Sequence, residues 1–198
     1  MQHYFINKEH EEKDFFEFND EVLNINLCFR SCDSIFSKNK IDDGTRALLN
    51  AINKKLTLSG HGLDIGCGLG VIAITLIKRF NVTFDMIDVN ETAVKLSQQN
   101  LIKNNVQKSA KAFVSNGFSE VNGEYDFIVT NPPIKTGKKL LFELMQDAHT
   151  HLKKDGTLTL VIRKDHGMES LKKHLFEVFG NCEIIARDKG YYILHSVK

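Results

Sequence analysis

Proline is nearly absent from this 198-residue chain; the only two, Pro132 and Pro133, stand side by side. Cysteine is sparse as well. The four cysteines (Cys28, Cys32, Cys67, Cys182) form neither paired zinc knuckles nor the disulfide framework of a small secreted domain. The Cys28-x-x-x-Cys32 spacing is a weak metal signal, and reduced thiols with no metal are the expectation. There is no apolar run of the roughly 18 residues that a bilayer-spanning helix needs, so no membrane association is expected. The opening "MQHYFINKEHEEKDFF" is charged throughout, unlike a secretory leader, and a cytoplasmic location follows as the expectation. An excess of one charge is missing too. Lys and Arg number 26 against 25 Asp and Glu, a net charge of +1, which excludes a polyanion-seeking surface over the whole molecule. The balance is uneven, however. Residues 1–60 carry 8 basic against 10 acidic, residues 61–129 carry 6 against 7, and residues 130–198 carry 12 against 8. The basic surplus after the double proline suits a phosphate-bearing partner.

What is present fits a globular protein with a full core: 42% hydrophobic and 26% charged residues. In "FFEFNDEVLNINLCF" (15–29), Leu23, Ile25, Leu27 and Phe29 alternate, with a polar Asn19-Asp20-Glu21 break before them, which predicts a β-hairpin. A short helix follows, with Asp42 or Asp43 as its cap and Ala47, Leu48 and Ile52 facing inward. From residue 61 onward apolar strands alternate with amphipathic helices: "GLDIG", "VTFDMIDV", "KAFVS", "EYDFIVT" and "GTLTLVIRK" as strands, with helices between them and Asn90 placed to cap one. Near-continuous apolar strands call for helices on both faces of a parallel sheet. The final "CEIIARD" and "GYYILHSV" have no helix between them and predict a closing hairpin at one edge. The expected fold is α/β and doubly wound.

"LDIGCGLG" places Gly66, Gly68 and Gly70 directly after a strand, where glycines permit a tight turn and close approach of a ligand to the backbone. A plain strand-to-helix turn can carry the same glycines. Val71 stands where a nicotinamide-binding fingerprint wants glycine or alanine. Asp64 lies at the first strand's end and Asp88 at the next one's, where doubly wound folds hold ribose hydroxyls. Asp88 could otherwise serve only the helix cap beside Asn90.

Together "LDIGCGLG", "MIDVN", "VSNGF" and "YDFIVTNPPI" resemble the class I S-adenosylmethionine-dependent methyltransferases. More narrowly, they resemble the small-domain ribosomal-RNA methyltransferases that modify the guanine 2-amino group. The likeness extends through "SIFSKNKIDDGTRALL", "NPPIKTGK", "LVIRK" and "DKGYYIL", covering residues 34–198. It implies a mostly parallel seven-stranded sheet whose last strand is antiparallel; the hairpin read from the alternation above stands before it as an N-terminal extension over residues 1–33. It also implies S-adenosyl-L-methionine as cofactor. Asp64, Gly66, Cys67, Gly68 and Gly70 would shape its methionine end, Asp88 and Val89 would hold the ribose, and Asn116 would stand beside the adenine. Relatives often carry aspartate at the Asn116 position; an amide oxygen can accept the same hydrogen bond. Gly44 and Thr45 would fall in the segment closing over the cofactor, unless they only start a helix.

The prolines then acquire a purpose. A base amino group is a weak nucleophile because its lone pair is delocalised into the ring. The Asn131 side-chain oxygen and the Pro132 carbonyl can take its two N–H bonds and aim the nitrogen, while the Pro132-Pro133 pair keeps the turn stiff. Ile134 replaces the aromatic that usually follows, which leaves an apolar face for the target and favours guanine over adenine. Lys135, Lys138 and Arg163 are candidate phosphate contacts, as are Lys139 and Lys164; surface lysines are also commonly just solvated. Ribosomal RNA or a ribosomal subunit is the implied partner of a monomer or homodimer. Relatives often carry a second, degenerate copy of the domain, so substrate recognition here is expected from residues 1–40, these lysines or a dimer partner. A protein glutamine methyltransferase, a DNA adenine methyltransferase and a non-catalytic cofactor-binding assembly factor are the rival readings.

Overall fold

The computed structural model describes residues 15–35, 37, 39–132 and 137–198. The first two strands, β1 (Phe15–Val22) and β2 (Ile25–Cys32), form an antiparallel hairpin. Its turn is Leu23-Asn24, with φ of 56° and 60°, the left-handed pair that a two-residue hairpin turn demands. The polar Asn19-Asp20-Glu21 triplet, which the sequence pattern marks as the break, lies inside β1, and Leu23 sits in the turn. The reason is tertiary. The Asp20 carboxylate accepts from Ile41 N–H (2.8 Å) and from the Arg46 guanidinium, so the central residue of the triplet has partners beyond the hairpin. Those two bonds hold the Asp20 carboxyl below its ordinary range despite partial burial.

Helix α1 (Asp43–Lys55) starts at Asp42, whose side chain accepts from Thr45 N–H, and ends in Lys54 and Lys55 beside the negative end of its dipole. The remaining elements alternate: β3 (His61–Ile65), α2 (Val71–Phe80), β4 (Thr83–Asp88), α3 (Glu91–Lys103), β5 (Ala110–Val114), β6 (Tyr125–Thr130), α4 (Lys138–His151), β7 (Leu152–Arg163), α5 (Met168–Phe179), β8 (Glu183–Asp188) and β9 (Tyr191–Val197). The seven-stranded sheet runs β5-β4-β3-β6-β7-β9-β8. Every pairing is parallel up to β7, and β9 is antiparallel to both its neighbours, as the helix-free link between the last two segments predicts.

Alternation along the strands divides the core. Phe127 and Val129 of β6 join Leu48, Ile52, Ile74, Leu76 and the hairpin's Leu27 and Phe29 on one face. Ile128, between them, joins Met145, Ala148, Leu171 and Leu175 of α4 and α5 on the other. Both faces are covered, which is why the strands read as unbroken apolar runs. Asn90 caps α3 through a bond from Thr92 N–H, as its position predicts. The hairpin rests on α3 in an unusual way. Asn100 and Asn104, one helical turn apart, accept from Arg30 and Cys28 N–H (2.7 and 3.2 Å) and donate to the same residues' carbonyls (3.1 and 2.7 Å). Two carboxamides thus pair β2 as a neighbouring strand would. Among the described residues no helix is long and apolar enough to cross a membrane.

Candidate active site

The order of strands reverses between β3 and β6, and the carboxyl ends of the strands around that point converge on one edge. Open α/β sheets bind ligands there. β3 delivers Asp64 and the glycine loop, β4 delivers Asp88, β5 leads to Asn116, and β6 delivers Asn131.

The glycine loop is shaped largely by backbone bonds. Gly66 and Cys67 N–H both donate to the Ile87 carbonyl (2.8 and 2.9 Å), and Gly70 N–H donates back to Cys67 (2.8 Å). Gly70, with φ of 84°, caps α2, whose first turn holds no acidic residue. A Cβ on Gly70 would come within 2.7 Å of the Met86 methyl, which would have to shift, and the positive φ is a conformation that other residues rarely adopt. Gly68 is different. Its φ of 53° also favours glycine, but nothing lies within 4 Å of where its Cβ would stand, which leaves its outer face open to a ligand.

Two carboxylates flank this loop. Asp88 Oδ2 accepts from Gly68 N–H (3.0 Å) and Oδ1 from Asn90 N–H (2.9 Å); burial raises its pKa while these N–H groups oppose the rise. Asp64 is fully buried. Its Oδ2 accepts a bond from Ala73 N–H in α2 (3.3 Å), and its Oδ1 has no hydrogen-bond partner among the described residues. Burial pushes its carboxyl up to about 7, Ala73 opposing and the nearby Asp88 adding to the shift. Cys67 turns its thiol into the core, where burial first and the two carboxylates second raise its pKa; its contribution to the loop is backbone alone. Val89 is half-buried beside Asp88. Asn116 is exposed on the adjacent edge, one residue beyond Ser115, whose N–H donates to the Asp88 carbonyl (3.0 Å).

Asn131 stands directly after β6, whose last residue is tied to β3 by Thr130 Oγ1 donating to the Ile65 carbonyl (2.7 Å). The Asn131 amide nitrogen donates to Asp42 Oδ1 (3.2 Å) and to Thr45 Oγ1 (3.0 Å). A carboxylate can only accept, so the amide must face Asp42 with its nitrogen. Its oxygen then points elsewhere, and no described residue donates to it. Pro132 is buried next to it, while Pro133, Ile134 and Lys135 lie outside the described residues.

The structure thus gathers Asp64, Gly66, Gly68, Gly70, Asp88 and Asn116 at one edge, with Asn131 on the same edge. It gives Gly44 and Thr45 a more specific place than their motif suggests. Thr45 holds Asn131, and Gly44 packs against Tyr191, whose Cε1 would sit 3.0 Å from an added Cβ. Arg163 lies over that same Tyr191 ring (5.6 Å to the centroid), and its guanidinium is forked onto Asp165 (3.1 and 3.3 Å). A phosphate would have to compete with Asp165 for it. Lys138 lies over the Phe142 ring at the start of α4 (5.1 Å). Among the described residues no three His, Cys, Asp or Glu side chains gather as a metal site.

Three functional placements escape sequence reasoning. Asp42 reads only as a helix cap. Tyr191 reads only as a strand residue. Asn100, besides pairing β2, donates to the Leu69 carbonyl inside the glycine loop (3.0 Å). The one available signal was two asparagines four residues apart on a helix, a position where this residue is intrinsically poor.

Known proteins resemble this chain in sequence and in fold. Residues 26–195 match the family described as Methyltransferase small domain. An uncharacterised protein of Bacillus subtilis, YbxB, is 35% identical over 200 residues, covering all of this chain and 98% of its own length. Ribosomal RNA small subunit methyltransferase C of Colwellia psychrerythraea is 34% identical and is covered over 48% of its length; that of Haemophilus influenzae is 33% identical and covered over 58%. The chain therefore spans about half the length of these two named enzymes. A T. thermophilus 16S rRNA N2 methyltransferase solved with AdoMet and guanosine superposes with a TM-score of 0.84 at 23% identity, over 93% of this chain and 50% of that one, a likeness of fold.

Proposed function

Because the chain belongs to the methyltransferase small-domain family, a group of S-adenosylmethionine-dependent enzymes, we propose that it methylates the 2-amino group of a guanine in small-subunit ribosomal RNA. The observation that carries this reading is the Asn131 carboxamide, held by its nitrogen with its oxygen left to accept. The named relatives act on small-subunit ribosomal RNA, and the basic surplus after residue 130 suits a phosphate backbone.

The residues present fit the cofactor. Asp64 Oδ1 is a buried carboxylate oxygen without a donor among the described residues, beside a loop whose Gly68 is open, so a cationic ligand would be welcome there. Asp64 and the loop amides would hold the methionine end. Asp88, whose two oxygens each accept one bond and can accept another, would hold the ribose with Val89 beside it, and Asn116 would meet the adenine. Bound there, S-adenosylmethionine supplies an electrophilic methyl on its sulfonium.

The chain's own contribution is positioning. The Asn131 oxygen and the Pro132 carbonyl accept the two N–H groups of the target nitrogen, drawing its lone pair out of the ring and toward the methyl. As the N–C bond forms, the cofactor's methyl would leave its sulfur as a neutral thioether; these two acceptors would strengthen as positive charge develops on the nitrogen, and one of its protons would pass to solvent. The amino group must be unpaired to enter, so the base is flipped or taken from a loop. With only a modest net charge, an assembled subunit in the cytoplasm suits this protein better than naked RNA.

The test is to incubate the protein and methyl-labelled cofactor with small subunits from a strain lacking the gene, then digest the RNA and identify the labelled nucleoside. N2-methylguanosine is the expected product. Label in adenosine or in protein glutamine would overturn the substrate assignment.

A further inference from the structure

The clamp residue does not stand alone. Its amide nitrogen is held from α1, by the cap residue Asp42 and by Thr45 one turn inside the helix. Both acceptors are themselves fixed. Asp42 Oδ1 also accepts from Thr45 N–H (3.0 Å), which locks its rotamer, and Thr45 is buried. The start of α1 is anchored in turn by Arg46, which donates to the Ile41 and Glu21 carbonyls (3.2 and 2.7 Å) and to the Asp20 carboxylate of the hairpin. Ile41 N–H is held by the same carboxylate (2.8 Å). An unbroken set of hydrogen bonds thus runs from the hairpin through α1 to Asn131.

A primary carboxamide with no such tether can turn about its last side-chain torsion and exchange oxygen for nitrogen at little cost, since that torsion is broad. For a substrate N–H the two faces are opposite in sign: the oxygen accepts it and the NH2 repels it. Whatever fixes the amide therefore decides whether the clamp is competent. We propose that Asp42 and Thr45 are positioning residues for methyl transfer, turning the Asn131 oxygen toward the substrate nitrogen. This rests on the clamp reading above.

Two measurements test it, one of them independent of catalysis. In the 1H–15N spectrum, the Asn131 side-chain amide pair is identified as the pair missing from Asn131→Ala. Thr45→Val, which keeps size and shape but loses the hydroxyl acceptor, should move that pair toward the shifts of a free amide, and Thr45→Ser should restore it. In single-turnover transfer to small subunits, Thr45→Val should be slowed by about tenfold or more, with cofactor Kd and subunit KM within about twofold of wild type. Thr45→Ser and Asp42→Asn, each retaining an acceptor, should recover most of the rate. Asp42→Ser, which keeps a cap but shortens the reach, should be slow like Thr45→Val. An unmoved amide pair in Thr45→Val, or transfer rates within about twofold of wild type in both Thr45→Val and Asp42→Ser, overturns the proposal. If wild-type protein transfers no methyl to the subunit, the guanine reading falls instead, and the amide pair decides the tether by itself.

Discussion

The glycine loop is held chiefly by its own backbone and the strand beside it, whereas the clamp is held by side chains that arrive from 86 and 89 residues away. In the first half, N–H groups of Gly66, Cys67 and Gly68 bind Ile87 and Asp88, all within one β-α-β unit. In the second, Asn131 depends on Asp42 and Thr45, and these depend on the hairpin through Arg46 and Asp20. On the function proposed above, the difference separates two tasks. Binding a cofactor needs a fixed concave backbone, which a strand and a helix N-terminus provide locally. Aiming a planar nitrogen needs acceptors held at fixed angles, and for the Asn131 side chain that requires a tertiary scaffold. Binding and chemistry should accordingly fail separately.

The strongest break in that comparison is Asn131→Ala. It removes the acceptor and leaves the glycine loop untouched, so transfer should fall on the order of a hundredfold while cofactor affinity in calorimetry stays near wild type. Residual activity above about a tenth of wild type, a loss under ~1.4 kcal/mol, would count against the clamp. The converse variant is Asp88→Ala. It deletes the acceptor of Gly68 and Asn90 N–H along with any ribose contact. Cofactor binding should weaken on the order of 2 kcal/mol, roughly thirtyfold, with the maximal transfer rate at saturating cofactor much less affected. Unchanged affinity in a folded Asp88→Ala protein would remove Asp88 from the site.

The same division governs what the sequence reveals. Gly66, Gly68, Gly70, Asp88 and the Asn90 cap are legible because each acts within a few residues of its partner or at a strand end that periodicity locates. The alternation of strands and helices and the closing antiparallel pair follow from the same local signals, whereas the order of the strands in the sheet is seen only in the structure. Asp42, Tyr191 and Asn100 are illegible because their roles exist only across the sheet or between layers. The hairpin turn at Leu23-Asn24 was displaced for a related reason. Asn19, Asp20 and Glu21 look like turn residues locally, but Asp20 is partnered by Arg46 and Ile41, so the strand runs through them. Polarity marks a turn only when nothing distant satisfies it.

Asn100 is where the two halves touch. It is fully buried, pairs Arg30 of the hairpin in both directions and donates to Leu69 of the glycine loop. Asn104 pairs Cys28 and its own helix but does not reach the loop. Asn100→Ala should therefore cost about 1–2 kcal/mol in urea unfolding, from buried groups left without partners. It should also lower cofactor affinity more than Asn104→Ala does. Equal effects of the two variants on affinity would deny that Asn100 links hairpin to loop.

The proton on Asp64 sharpens the comparison from the cofactor side. Its carboxyl is raised from 3.8 to about 7 by burial. The unfolded chain gives up this proton near pH 4, while the folded, ligand-free protein keeps it until near pH 7. Fewer protons are bound in the unfolded state over that window, so this group makes stability fall as pH rises from about 4 to 7. Asp64→Asn, which still offers Ala73 N–H an acceptor, should flatten that part of the pH profile relative to wild type. A cationic ligand beside the unpartnered Oδ1 favours the ionised form. Cofactor binding near pH 6 should therefore release protons, and its affinity should rise toward pH 7. Calorimetry in two buffers of different ionisation enthalpy reads the release directly. Heats that do not depend on buffer, or a release that survives Asp64→Asn, would mean that the cofactor's positive charge lies away from Asp64, and that the glycine loop binds by backbone shape alone.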